Sequence, residues 1–103
     1  MDVHAICHVT GGGFDENIPR VLQENQGVEI IEESWEKPPI FNFLEKWGEI
    51  PHREMFNIFN MGIGMILVVK PKDLAKSMKI LKNCGETVFE IGKVVAGEGV
   101  TLL

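Results

Sequence analysis

The sequence predicts an α/β (α+β) fold: a mixed sheet with helices packed on its faces. Three observations carry that expectation. Short apolar or β-branched runs alternate with segments of helical periodicity along the chain. The run Val3–Val9 is stopped by Gly11-Gly12-Gly13 and followed by Phe14-Asp15-Glu16-Asn17, which reads as strand, glycine turn, helix start. A second pair of glycines, Gly62 and Gly64, opens the apolar run Met65–Val69, which reads as a strand covered on both faces.

Strand one, Val3–Val9, places His4, Ile6 and His8 on one face and Ala5, Cys7 and Val9 on the other. After the glycine turn a helix from Asp15 to Leu22 is interrupted by Pro19, which belongs only in a first turn. Asn17 is placed to cap the second piece, and Ile18, Val21 and Leu22 face the core. The polar stretch Gln23–Gly27 leads to a second, half-exposed strand, Val28–Glu32. Ser34–Pro39 is an extended linker, because each proline pushes its predecessor out of the helical region.

Ile40, Phe43, Leu44 and Trp47 fall at i, i+3, i+4 and i+7, one face of a core-packed helix that stops at Gly48. Ile50-Pro51 starts a third helix with Met55, Phe56 and Phe59 inward. Pro71-Lys72-Asp73 opens a fourth, with Leu74, Met78 and Leu81 buried, Lys76, Lys79 and Lys82 outside, and Gly85 at its end. Thr87–Ala96 reads as a strand with a bulge at Gly92. Gly97-Glu98-Gly99 turns the chain into a last strand, Val100–Leu103.

A length of 103 residues supports one domain with a modest core and not two. A net charge of −5 argues against a general nucleic-acid surface, though not against a local anion site. Cys7 and Cys84 lack a Cys-x-x-Cys spacing and read as free thiols in a reducing compartment. Met1-Asp2-Val3-His4 carries no basic leader, and no apolar run is long enough to span a membrane, so the expected location is cytoplasmic. His4 and His8 are separated by roughly 13 Å of strand, too far to share one ion, and His52 has no partner spacing. No metal site is expected.

A strand–glycine turn–helix arrangement can offer backbone N–H groups to an anion such as a phosphate, or be a tight turn and nothing more. Asp15 and Glu16 oppose the first reading, since two carboxylates beside the turn repel a phosphate. Two partners are open to Arg20: a phosphate, or Glu16 at i−4. Asn60 has the same ambiguity between ligand and turn cap.

His8-Val9-Thr10-Gly11-Gly12-Gly13-Phe14 followed by Glu16-Asn17-Ile18-Pro19-Arg20-Val21-Leu22 resembles the C-terminal domain of the aminoimidazole ribonucleotide synthetase (phosphoribosylformylglycinamidine cyclo-ligase) family. Phe59-Asn60-Met61-Gly62-Ile63-Gly64-Met65 resembles the family's Phe-Asn-Cys/Met-Gly-x-Gly motif. Trp35, the prolines with Phe41, the following helix and the chain end agree as well. The resemblance spans nearly all of the chain and implies a single partial domain over residues 1–103.

It further implies a function in purine biosynthesis: ATP-dependent ring closure of formylglycinamidine ribonucleotide to aminoimidazole ribonucleotide, with ATP and Mg²⁺ as cofactors. The Gly/Asp-rich segment that holds those cofactors in the family is not among these residues, so the chain alone is expected to be inactive. By match to the motifs, His8 is the catalytic candidate. Thr10, Gly11, Gly12, Gly13, Asn17, Arg20, Asn60, Gly62 and Gly64 are the substrate- or phosphate-binding candidates. A homo-oligomer, a dimer, is expected, with no nucleic-acid or membrane partner. The alternative is a non-catalytic ligand-binding or dimerisation subdomain of a related ATP-using protein.

Overall fold

The computed structural model describes residues 3–103; the reading of Met1 and Asp2 as no part of a leader lies outside them. The chain runs β1 (Val3–His8), α1 (Gly13–Asn17), β2 (Gln26–Ile30), α2 (Pro39–Trp47), α3 (His52–Ile58), β3 (Met65–Val69), α4 (Leu74–Asn83), β4 (Gly92–Ala96) and β5 (Gly99–Leu102). Short 3₁₀ turns occupy Pro19–Val21, Glu32–Ser34 and Pro71–Asp73.

The alternation of strand and helix holds, and the strands form two sheets. β1 and β3 make an antiparallel pair, with His8 opposite Met65 and Cys7 opposite Ile66. The mixed sheet has the order β4-β2-β5, with β2 antiparallel to β4 and parallel to β5. The core lies between these layers and the first helices. Cys7, Val9, Phe14, Ile18, Val28, Ile30, Trp35, Met55, Phe56, Met61 and Ile63 are its buried apolar side chains. β1 buries its Cys7 and Val9 face and exposes His4, Ile6 and His8, as its alternation requires.

Several expectations need correction. β3 is half-buried with Met65 exposed; among the described residues it pairs with β1 alone. On α2, Ile40, Phe43 and Trp47 are 54%, 55% and 74% exposed, so the apolar stripe is not core. Phe41 and Leu44 are the α2 side chains that pack against the core. The second strand sits two residues earlier than expected, since Ile31 already leads into a 3₁₀ turn. The strand over Thr87–Ala96 shrinks to β4.

Gly92 is no bulge: Ile30–Gly92 and Glu29–Lys93 pair in unbroken register. The residue must be glycine for another reason, since a Cβ there would run into the Glu29 carbonyl. The stripe of α4 is half-buried; its one buried side chain is Ser77, whose hydroxyl donates to Asp73 O at 2.7 Å. Among the described residues no helix is long and apolar enough to cross a membrane.

Candidate functional site

The two glycine motifs meet at one rim. The Val9 N–H donates to Gly64 O at 2.9 Å, extending the β1–β3 pairing past its last ladder residues. Beyond that bond the chain turns at Thr10–Gly13 on one side and at Asn60–Gly64 on the other.

The first turn is closed by Gly13 N–H donating to Thr10 O at 3.0 Å. Gly12 and Gly13 have φ of 92° and 60°, the left-handed region that glycine enters without a Cβ penalty. Gly13 is tied further by its neighbour: a Cβ would strike the Phe56 carbonyl at the end of α3. A Cβ on Gly12 would strike the Glu16 carboxylate. Around Gly11 and Gly64, by contrast, a Cβ would meet no atom within 4 Å. Among the described residues, the N–H groups of Gly11 and Gly12 find no acceptor.

Asn17 is the turn's internal brace and does not cap the following 3₁₀ turn. It is buried, and its Nδ2 donates to Gly13 O at 2.8 Å, Thr10 O at 3.2 Å and Gly11 O at 3.3 Å. The Thr10 hydroxyl donates to Asn17 Oδ1 at 3.3 Å. Three carbonyls thus share the two N–H groups of the amide, while its oxygen accepts from Thr10. In the second turn, Asn60 Oδ1 accepts the Gly62 N–H at 2.9 Å. Gly62, with φ of 95°, lies so close to Pro38 that a Cβ would come 2.6 Å from its Cδ.

Trp35 joins the two turns. Its ring stacks on Phe14 at 5.9 Å and 28°, and its Nε1–H donates to Met61 O at 3.0 Å. Phe14 adjoins Gly13, and Met61 adjoins Gly62. The sequence placed Trp35 in a linker, and its match to the family was the signal that it mattered.

The acids beside the glycine turn are both matched by arginines. Glu16 takes Arg20 at 2.6 Å on an exposed i,i+4 pair, which is where the Arg20 guanidinium lies. Asp15 takes Arg53 through two hydrogen bonds of 2.6 and 2.7 Å, and Arg53 also donates to Val100 O at 3.0 Å. The Asp15 bonds raise the Arg53 pKa, with burial opposing them. Arg53, reaching from α3 across to α1, was missed by local spacing because its partner is 38 residues away.

His8 stands on the exposed face of β1, two residues before Thr10. Two concavities lie near the rim or apart from it. One of about 210 Å³ runs between His4, Leu22, Gln26, Val69 and Val94. The other, about 400 Å³, is bounded by Glu32, Lys37, Glu45, His52 and Met61. On the rim itself, the space beside Gly11 and Gly64 is open. Among the described residues no three His, Cys, Asp or Glu side chains gather as a metal-ligand set.

Known proteins share this arrangement. Residues 1–103 match the family model described as AIR synthase related protein, C-terminal domain. A phosphoribosylformylglycinamidine cyclo-ligase from Bacillus pumilus (strain SAFR-032) is 54% identical over 99 residues, covering 96% of this chain and 29% of that protein. One from Caldanaerobacter subterraneus subsp. tengcongensis is 45% identical over 103 residues, covering 100% of this chain and 31% of that protein. The chain therefore spans about three tenths of the length of these relatives. The solved structure of thiamine-monophosphate kinase from Stenotrophomonas maltophilia K279a superposes with a TM-score of 0.68 over 97% of this chain and 31% of that one, at 12% identity. That likeness shows the fold alone. With both glycine motifs in place and the family model matched from end to end, the chain belongs to the AIR synthase related protein, C-terminal domain family.

Proposed function

We propose that this chain forms one wall of the ligand cleft of an ATP-dependent phosphoribosylformylglycinamidine cyclo-ligase. That enzyme closes the imidazole ring of formylglycinamidine ribonucleotide in purine biosynthesis. The observation that carries the reading is the Val9–Gly64 bond, which brings both motifs to one rim with Gly11 and Gly64 open above it. Relatives named for this activity support it.

Ring closure needs the two reacting groups held in line and the charge of a transferred phosphoryl group stabilised. Fixed backbone N–H groups suit the second task, because they are oriented before the reaction begins. Gly11 and Gly12 supply such groups, braced by Asn17 from below. Asp15 and Glu16 do not repel an anion as free acids would, since Arg53 and Arg20 offset them. His8 is the nearby candidate for proton transfer. ATP and Mg²⁺ would be held mainly by chain outside these residues.

The test uses the full-length enzyme carrying this sequence. Gly11→Val and Gly64→Val add side chains in open space at ordinary φ, so the melting temperature should hold. The kcat/KM for ATP-dependent aminoimidazole ribonucleotide formation should fall by about tenfold or more, ~1.4 kcal/mol of transition-state stabilisation. Unchanged kcat/KM in both variants would remove the rim from the cleft.

A further inference from the structure

Both ring nitrogens of His52 face carboxylates from other elements of the chain. Nε2 lies 2.5 Å from Glu32 Oε1, in the turn after β2, and Nδ1 lies 3.0 Å from Glu45 Oε1 on α2. His52 itself is the first residue of α3. A neutral imidazole has one N–H and one lone pair. It could bond one carboxylate and would turn its lone pair on the other. Only the imidazolium donates to both.

The ring also packs edge-on against Phe56 at 5.6 Å and 74°. Phe56 in turn meets Phe14 at 5.5 Å, and its carbonyl abuts Gly13. His52 therefore sits at the outer end of a stack that reaches the glycine turn. Three large apolar side chains of α2 face solvent, and Phe41 and Leu44 are those packed on the core.

We propose that His52 is a pH-sensitive clasp: protonated, it fastens α2 and the turn after β2 to the start of α3; deprotonated, it lets Glu45 and α2 go. This is a property of the fold and stands apart from the ligase reading.

Other charged groups lie nearby, and Lys37 and Arg53 both act on Glu32 as well. Lys37 donates to the Glu32 carbonyl and lies over the Trp35 ring at 4.0 Å. Glu33 adjoins Glu32 and acts on Lys37. On α3, Arg53 is held by Asp15, and Glu54 accepts from Asn57 at 3.0 Å. On α2, Lys46 follows Glu45 in the last turn. The bond to Glu32 first, then that to Glu45, raise the His52 pKa above 6.5, with burial opposing. A raised folded value means the clasp's contribution is complete below about 6.5 and is lost as pH climbs through the folded pKa.

The experiment is performed on the intact polypeptide by NMR titration and hydrogen exchange. The His52 ring should titrate with a midpoint above 6.5, and Glu45→Gln and Glu32→Gln should each lower it. Protection of the α2 amides, corrected for intrinsic exchange, should fall several-fold as pH crosses that midpoint. In His52→Gln that protection should be low and independent of pH. A midpoint at or below 6.5, or α2 protection that ignores pH or tracks it equally in His52→Gln, overturns the proposal. If His52→Gln does not fold, Glu45→Gln serves: loss of the pH dependence at α2 supports the clasp and its retention overturns it.

Discussion

The Asn17 amide reaches three carbonyls of the turn that precedes it, all from a buried position. Replacing Asn17 with Ala would remove a buried amide that bonds all three, at a cost of about 1–3 kcal/mol. Chemical denaturation would read that as a lowered midpoint at constant slope. The three glycines should separate in the same assay. Gly13→Ala collides with the Phe56 carbonyl at positive φ and should destabilise by more than about 1 kcal/mol, whereas Gly11→Ala meets nothing and should be neutral. Cys7 and Cys84 divide as sharply. Burial raises the Cys7 thiol pKa, opposed by Arg20, while Cys84 is exposed. A thiol reagent should modify Cys84 at once and Cys7 only on unfolding; equal rates would contradict the packing of β1. The glycine triplet announced its turn because Gly12 and Gly13 hold positive φ that other residues rarely adopt. The aim of Asn17 was not legible, since the residue type suits a cap and an internal brace equally well.

At the scale of elements, α2 shows what periodicity can and cannot say. The spacing of Ile40, Phe43, Leu44 and Trp47 identified a helix and its apolar face. It could not say what lies opposite that face, and most of it meets solvent. Single changes test the difference. Trp47→Ser should shift stability by no more than about 0.5 kcal/mol, as exposed positions do, and Leu44→Ala should cost clearly more because Leu44 packs on the core. Equal losses would mean the face is covered in solution. α3 was legible as a helix from its proline start and its Met55-Phe56 pair. Its long-range ties, Arg53 to Asp15 and His52 to Glu32, were not, because nothing local in the sequence pairs residues so far apart. The bulge assigned to Gly92 failed for a related reason: a glycine in a strand signals close approach as readily as a bulge, and here the Glu29 carbonyl is what approaches.

At the scale of the molecule, the alternation of elements fixed the α+β class, while the division into two sheets required pairings that sequence order does not display. Among the described residues β1 pairs only with β3, so each of these strands keeps a free sheet edge there. Ile6 and Met65, both 57% exposed, add apolar area on the outer face of that sheet. An open edge beside apolar surface favours strand addition. Sedimentation should show the 103-residue polypeptide self-associating as its concentration rises through tens of micromolar, a rough working range for contacts of this kind. A single monomeric species throughout would remove the edge as a contact.

Trp35 has an optical consequence. Its indole touches Phe14 on one glycine turn and Met61 on the other, in a buried setting, while Trp47, the second tryptophan, is 74% exposed. The two fluorophores should emit at separate wavelengths, and a soluble quencher should silence only the outer one. With Trp47 replaced by Phe, the remaining emission would come from the residue that bridges the rim. Any molecule that settles on the rim and shifts either turn would be recorded as a change of colour, with no label attached.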